Sequence, residues 1–98
     1  MAGYWMVRVR VHDTAAYEQY RALAPAAIAA HGGRFLVRGG ECRTAEGGDW
    51  PRLVIIEFPD YASAVACYES PAYQTARAKR LGAADVDLSI VAGVAGEV

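Results

Sequence analysis

His31, Arg38 with Gly39-Gly40, a set of tyrosines, and Glu57 are the side chains best suited to chemistry in this sequence. His31 follows a helical stretch and precedes Gly32-Gly33, so it falls at a helix end beside a prospective cleft. An imidazole there could act as a general base or hold a haem iron. The plainer reading, a helix-terminal histidine favoured by the dipole, is preferred because no orienting partner is visible. His12 lies in a turn and is the weaker candidate. Arg38 joins a guanidinium to glycines that expose backbone N–H groups, a combination that holds carboxylates and other anions. Its alternative is a bulge, with Arg38 in a salt bridge between subunits. The Gly-x-Gly-x-x-Gly and Walker patterns of nucleotide loops are absent. Tyr17, Tyr20, Tyr61, Tyr68 and Tyr73, with Trp5 and Trp50, could wall a pocket for a flat organic molecule. Taken singly, each reads more simply as core with a satisfied polar tip. Glu57 reads as an acid–base residue or, preferably, as half of an ion pair at a dimer face. Ser70, followed by Pro71, reads as a helix cap and not a nucleophile. The set expected at a ligand site is therefore Trp5, Tyr20, His31, Arg38 and Tyr68, with His31 the best catalytic candidate.

Composition narrows the classes. Ninety-eight residues suffice for one domain, spanning 1–98, without room for a second core. The chain is 54% apolar, generous for its size, which fits a protomer that buries further area in an oligomer. Its net charge is −1, from 10 basic and 11 acidic residues with no basic run, so nucleic acid is not expected as a partner. Cys42 and Cys67 are 25 residues apart in no metal-ligand spacing, and reduced buried thiols are the simplest reading. No metal or cofactor is expected. No secretory signal and no apolar run of membrane-span length is visible, which makes the cytoplasm the default location and leaves no membrane partner.

These residues need elements to position them. Tyr4 to Val11 alternates, with Trp5, Val7, Val9 and Val11 on one face and Tyr4, Met6, Arg8 and Arg10 on the other. Asp13 or Thr14 can cap a helix over Ala15 to His31, with Tyr17, Tyr20, Leu23 or Ala24, Ala27 and Ile28 at helical spacing. Pro25 predicts a kink or a restart there. A second strand region runs from Arg34 to Thr44, with Phe35 and Val37 on one face and Arg34, Leu36 and Arg38 on the other. Gly39-Gly40 marks a bulge or a close approach within it. After a turn over Ala45 to Asp49, the third strand, Arg52 to Phe58, is apolar on both faces. Helices follow over Tyr61 to Glu69, with Val65 and Tyr68 inward, and over Pro71 to Leu81. A last strand spans Asp85 to Ala92, and the tail from Gly93 to Val98 reads as loose. The order gives an α+β, ferredoxin-like βαββαβ chain, a four-stranded antiparallel sheet with helices on one face and the first and third strands in the middle.

The helix-facing set is expected to be Trp5, Val7, Val9, Phe35, Val37, Val54, Ile56, Phe58, Leu88 and Ile90. The other face then carries Met6, Arg8, Arg10, Leu36, Arg38, Leu53, Ile55, Glu57 and Val91. That face is too apolar for water and too charged for a monomer core, and a twofold partner resolves the conflict. Burying Leu53, Ile55 and Leu36 is worth roughly 1.5 kcal/mol each. Arg8, Arg10, Leu53, Ile55 and Glu57 are the expected interface residues, with Glu57 paired to Arg8 or Arg10.

Four segments together resemble an uncharacterised bacterial family of about this length, domain of unknown function 1330. They are Gly3-Tyr4-Trp5, the run from Gly32 to Gly40, Val54-Ile55-Ile56-Glu57-Phe58-Pro59, and Tyr68-x-Ser70-Pro71-x-Tyr73. The resemblance covers nearly the whole chain. It implies a homodimeric α/β barrel with the helices outside, and it implies no activity. The wider superfamily includes cofactor-independent monooxygenases, haem-degrading enzymes, peroxidase-like proteins and ligand-binding regulators, among which fold does not choose. Two functions are expected to compete. One is a homodimer binding a small aromatic or anionic organic ligand, with or without turnover. The other is a non-catalytic interaction or regulatory protein whose barrel is structural.

Overall fold

The computed structural model describes residues 1–94. Its elements are β1 (Gly3–Val11), α1 (Thr14–Ala30), β2 (Arg34–Arg38), β3 (Arg52–Phe58), α2 (Tyr61–Glu69), α3 (Pro71–Arg80) and β4 (Ala84–Ala92). The strands form one antiparallel sheet in the order β2-β3-β1-β4. This is the expected α+β ferredoxin-like arrangement, with β1 and β3 central. Of the tail expected to be loose, residues 95–98 lie outside the described residues, while the Gly93 N–H donates to the Ala2 carbonyl at 2.7 Å.

Each helix starts where a side-chain oxygen can accept an orphan N–H. Asp13 accepts from Ala16 at 3.1 Å, Asp60 from Ser63 at 2.7 Å, and Ser70 from Tyr73 at 3.2 Å. Ser70 is thus a cap, as its sequence context implies. Pro25 does not break α1, contrary to the expected kink or restart. It removes only the bond from its own nitrogen to the Arg21 carbonyl. Burial of Tyr17, Ala24, Ala27 and Ile28 on one stripe holds the helix together. In α2 the buried residues are Ala64 and Cys67, not Val65, while Tyr68 packs partly buried against the core. The two thiols are free, and Cys42 is exposed, against the expectation that both are buried. Burial pushes the Cys67 thiol up to about 11, so it stays protonated and behaves as a small apolar group.

The second strand departs most from its expected form. It ends at Arg38, where Gly39 takes a φ of +70° that leaves the strand, and residues 39–51 run as irregular backbone. Its bulge lies earlier than Gly39-Gly40. Phe35 faces Ile56, but Val37 faces Ile55 and Arg38 faces Val54, leaving Leu36 as the extra residue. One added residue reverses side-chain parity. Val37 therefore joins Ile55 on the outer face, where it is 38% exposed, and Arg38 joins Val54 on the helix side. Both are corrections to the expected faces.

The molecule measures 41 × 35 × 17 Å. Its thinnest dimension fits one helical layer on one sheet and nothing beyond. Along β3 the buried residues are Val54, Ile56 and Phe58, while Leu53, Ile55 and Glu57 point to the bare side and are half-buried. Met6, Val37 and Val91 extend that side as exposed apolar groups.

Glu57 does not pair with Arg8 or Arg10. Register sets Tyr4 and Arg34 on either side of Glu57, whereas Arg8 sits opposite Leu53, four residues down the strand. At about 3.4 Å per residue that is out of reach. Arg34 instead donates to Glu57 at 2.7 and 2.8 Å, and the Tyr4 hydroxyl donates at 3.1 Å. Arg10 meets Asp85 at 3.4 Å, bonds the Asp49 carbonyl and lies 4.9 Å over the Trp50 ring, which ties the 39–51 segment to the sheet. The hydrogen bonds from Arg34 and Tyr4 hold the Glu57 carboxyl below its ordinary range. A depressed carboxyl contributes stability above its unfolded value of about 4.3, and loses it as pH falls through the lower folded value. Glu57→Gln is therefore expected to lower Tm near neutrality and to flatten the acid limb of a Tm–pH curve. Superimposable acid limbs would refute the assignment.

Candidate functional site

Helix α1 lays Tyr17, Tyr20 and Arg21, Ala24 and Ile28 across the sheet, the three- and four-residue steps of one helical stripe. Opposite them stand Trp5 and Val7 from β1, Phe35 and Arg38 from β2, and Arg52, Val54 and Ile56 from β3. Together they bound a cleft of about 40 Å³, room for a few waters. Its floor is apolar and aromatic, and three guanidiniums line it.

The aromatic floor is rigid. Trp5 is fully buried and donates its indole N–H to the Ala64 carbonyl at 2.9 Å. Its ring meets Tyr73 edge-on at 4.8 Å and Phe58 at 5.2 Å. The Tyr20 and Tyr73 hydroxyls are 2.9 Å apart. Arg80, buried on α3, donates to the Tyr73 hydroxyl at 3.3 Å and lies 5.2 Å over the Tyr20 ring. The Tyr73 oxygen thus accepts from a cation, and either phenol can donate across the pair. Burial, with the neighbouring Tyr73 phenol, pushes the Tyr20 phenol far above its ordinary value. Tyr20 is a neutral hydrogen-bonding wall and not a base.

The guanidiniums differ in their partners. Arg21 reaches Glu18 at 2.8 Å, one turn earlier on α1. Arg38 stacks over the Phe35 ring at 4.1 Å. Arg52 packs against Gly39, and its Nε is buried without a hydrogen-bond partner. Among the described residues, neither Arg38 nor Arg52 forms an ion pair.

Of the residues singled out in the sequence, the cleft gathers Trp5, Tyr20 and Arg38. Tyr68 does not line it, but packs 6.1 Å from Trp5 and 5.6 Å from Tyr73. His31 is also elsewhere, capping the end of α1 with its Nδ1 2.9 Å from the Ala27 carbonyl. A carbonyl only accepts, so Nδ1 carries the proton. Tyr17, weighed in the sequence as a possible pocket wall, also lines the cleft, while Arg21, Phe35 and Arg52 were not assigned to a site. Strand parity alone would have found Arg52, two residues before Val54, and helix spacing would have found Arg21. No group of three metal-ligating side chains occurs among the described residues, and no helix is long and apolar enough to cross a membrane.

A comparison with curated proteins finds no match. Solved structures match in fold. RPA0582, a protein of unknown function from Rhodopseudomonas palustris, is 21% identical with a TM-score of 0.74, over 96% of this chain and 83% of that one. SnoaB, a cofactor-independent oxygenase from Streptomyces nogalater, is 13% identical with a TM-score of 0.62, over 98% of this chain and 96% of that one. A dimeric ferredoxin-like protein of unknown function from Jannaschia sp. is 14% identical with a TM-score of 0.63, over 93% and 98% of the two chains. At these identities the likeness is one of fold. One family model spans residues 2–94 of this sequence, and the chain belongs to the family it describes, domain of unknown function (DUF1330).

Proposed function

We propose that this protein is a homodimer, paired through the bare face of its sheet, that binds a small organic molecule of aromatic or anionic character in the α1–sheet cleft. The observation that carries the reading is the pairing of an aromatic floor with two guanidiniums that meet no carboxylate among the described residues. Evolved sites for small ligands combine apolar walls with a few convergent polar groups in this way. A dimer is supported by the slab shape, by the apolar groups on the bare side, and by the dimeric protein of the same fold. Leu53 and Ile55 would fill the interface centre, and Arg8, Arg10 and Glu57 its charged parts. Cofactor-independent oxygen chemistry of the SnoaB kind would need a base, and His31 is the proposed candidate only if a ligand extends past the cleft to the end of α1.

The small volume favours a second reading, a dimer whose rim meets a larger partner. Ligand-sized pockets run to roughly 300 Å³ or more, against about 40 Å³ in this cleft. The two readings differ in one movement. If Arg38 swings off Phe35, the cleft opens along β2 to admit a ring. A thermal-shift screen of small aromatic and anionic molecules separates them. A ligand at a hundredfold its Kd adds about 2.7 kcal/mol, worth roughly 10–20 °C in a chain of this size. That shift is expected for at least one ligand, and its loss in Tyr20→Ala would place binding in the cleft. A screen without shifts favours the rim.

A further inference from the structure

We propose that the ligand is a flat, single-ring aromatic carboxylate, its carboxylate held between Arg52 and Arg38 and its ring against Tyr20 and Phe35. The inference rests on the reading of the cleft as a ligand site. The bulge at Leu36 carries it, because that one residue turns Arg38 to the side that Arg52 and Val54 already occupy. Two guanidiniums therefore share one face on neighbouring strands, where like charges repel. Among the described residues no carboxylate offsets them. The Arg52 guanidinium lies over Gly39, whose φ of +70° and lack of a side chain leave it that space. Its Nε is a buried charged donor without an acceptor, an arrangement that costs free energy until an acceptor arrives.

The geometry favours a carboxylate because a planar guanidinium meets it through parallel N–H···O bonds. Arg21 is already taken by Glu18, which leaves Arg38 and Arg52 to share the carboxylate. The geometry favours a single ring because the cleft is small, about 40 Å³ with Arg38 stacked over Phe35. In binding, Arg38 exchanges its stacking on Phe35 for the ligand's charge, and the ligand ring takes its place over Phe35.

Calorimetric titration of the intact protein with benzoate, benzamide and acetate at low salt tests this. Benzoate is expected to bind at least about tenfold tighter than either of the others. Its affinity is expected to fall about tenfold in Arg52→Gln and in Arg38→Gln, while benzamide binding holds. Circular dichroism checks that each variant is folded, and Arg38→Gln, exposed at its site, carries the test if Arg52→Gln is not. Equal binding of benzoate and benzamide overturns the carboxylate inference and leaves the cleft reading standing. Acetate binding as tightly as benzoate overturns it also, because the ring then contributes nothing. If none of the three binds, the inference falls, and a null screen of larger molecules would take the cleft reading with it.

Discussion

Trp5→Ala is expected to lower the stability of the protein by about 3–5 kcal/mol, the range for deleting a buried aromatic side chain. Trp5 is 0% exposed and touches three other rings, so its removal leaves a cavity in the layer between β1 and the helices. The loss has a second part. The indole N–H satisfies the Ala64 carbonyl in the middle of α2, and that carbonyl would lose its side-chain partner. Tyr73, also fully buried, loses its edge contact and with it part of the support for the Tyr20–Tyr73–Arg80 chain. Domains of this size hold about 5–15 kcal/mol in total, so the variant is expected to be partly unfolded at 37 °C. Urea denaturation at fixed protomer concentration reads the effect, since dimerisation makes apparent stability depend on concentration. A loss below about 1 kcal/mol would show that the sheet–helix layer is not organised around this indole.

Ile55→Lys is expected to separate the proposed dimer without unfolding the chain. Ile55 lies at the centre of the bare face, next to Met6 on β1 and Val37 on β2 by register. Twofold symmetry places each substitution in the interface twice. Two lost apolar burials of roughly 1.5 kcal/mol each, before any cost of burying the charges, weaken association by a factor of about one hundred or more. Sedimentation at micromolar concentration is expected to give two 10.5 kDa protomers together for the natural chain and one for the variant. A natural chain that sediments as one well-folded protomer would remove both the dimer and the interface roles given to Leu53, Ile55 and Glu57.

Element types and their order were legible because the apolar periods are clean in β1, β3 and α1, and because Asp13, Asp60 and Ser70-Pro71 announce their helices. The double apolar face of β3 announced a central strand. What was not legible came from long-range register. Glu57 had three arginines within range of a guess, and only pairing of β2 with β3 selects Arg34 over Arg8 and Arg10. The bulge has no local signature in Phe35-Leu36-Val37, an unbroken apolar run that would serve equally as regular strand. The glycines at 39 and 40 drew attention to the right neighbourhood for the wrong reason. Gly39 ends the strand and makes space for Arg52 instead of widening the ladder. The site inherited that error in part. Arg38 was singled out for the glycines beside it but assigned by alternation to the opposite face, and the structure puts it on the helix side, at the cleft. Tyr68 and His31 were grouped with the cleft because sequence distance says nothing about which side of a helix end a ring will occupy.

The odd residue in β2 makes the strand's pairing, and not only its lettering, a determinant of what the protein can hold. Paired without the bulge, the same chain would return to plain alternation, with valine turned inward and arginine turned out. Its walls would be greasy throughout, and its positive charge would move to the side where subunits are proposed to meet. Excision of Leu36 alone, by contrast, would straighten the strand and leave both side chains on their present faces.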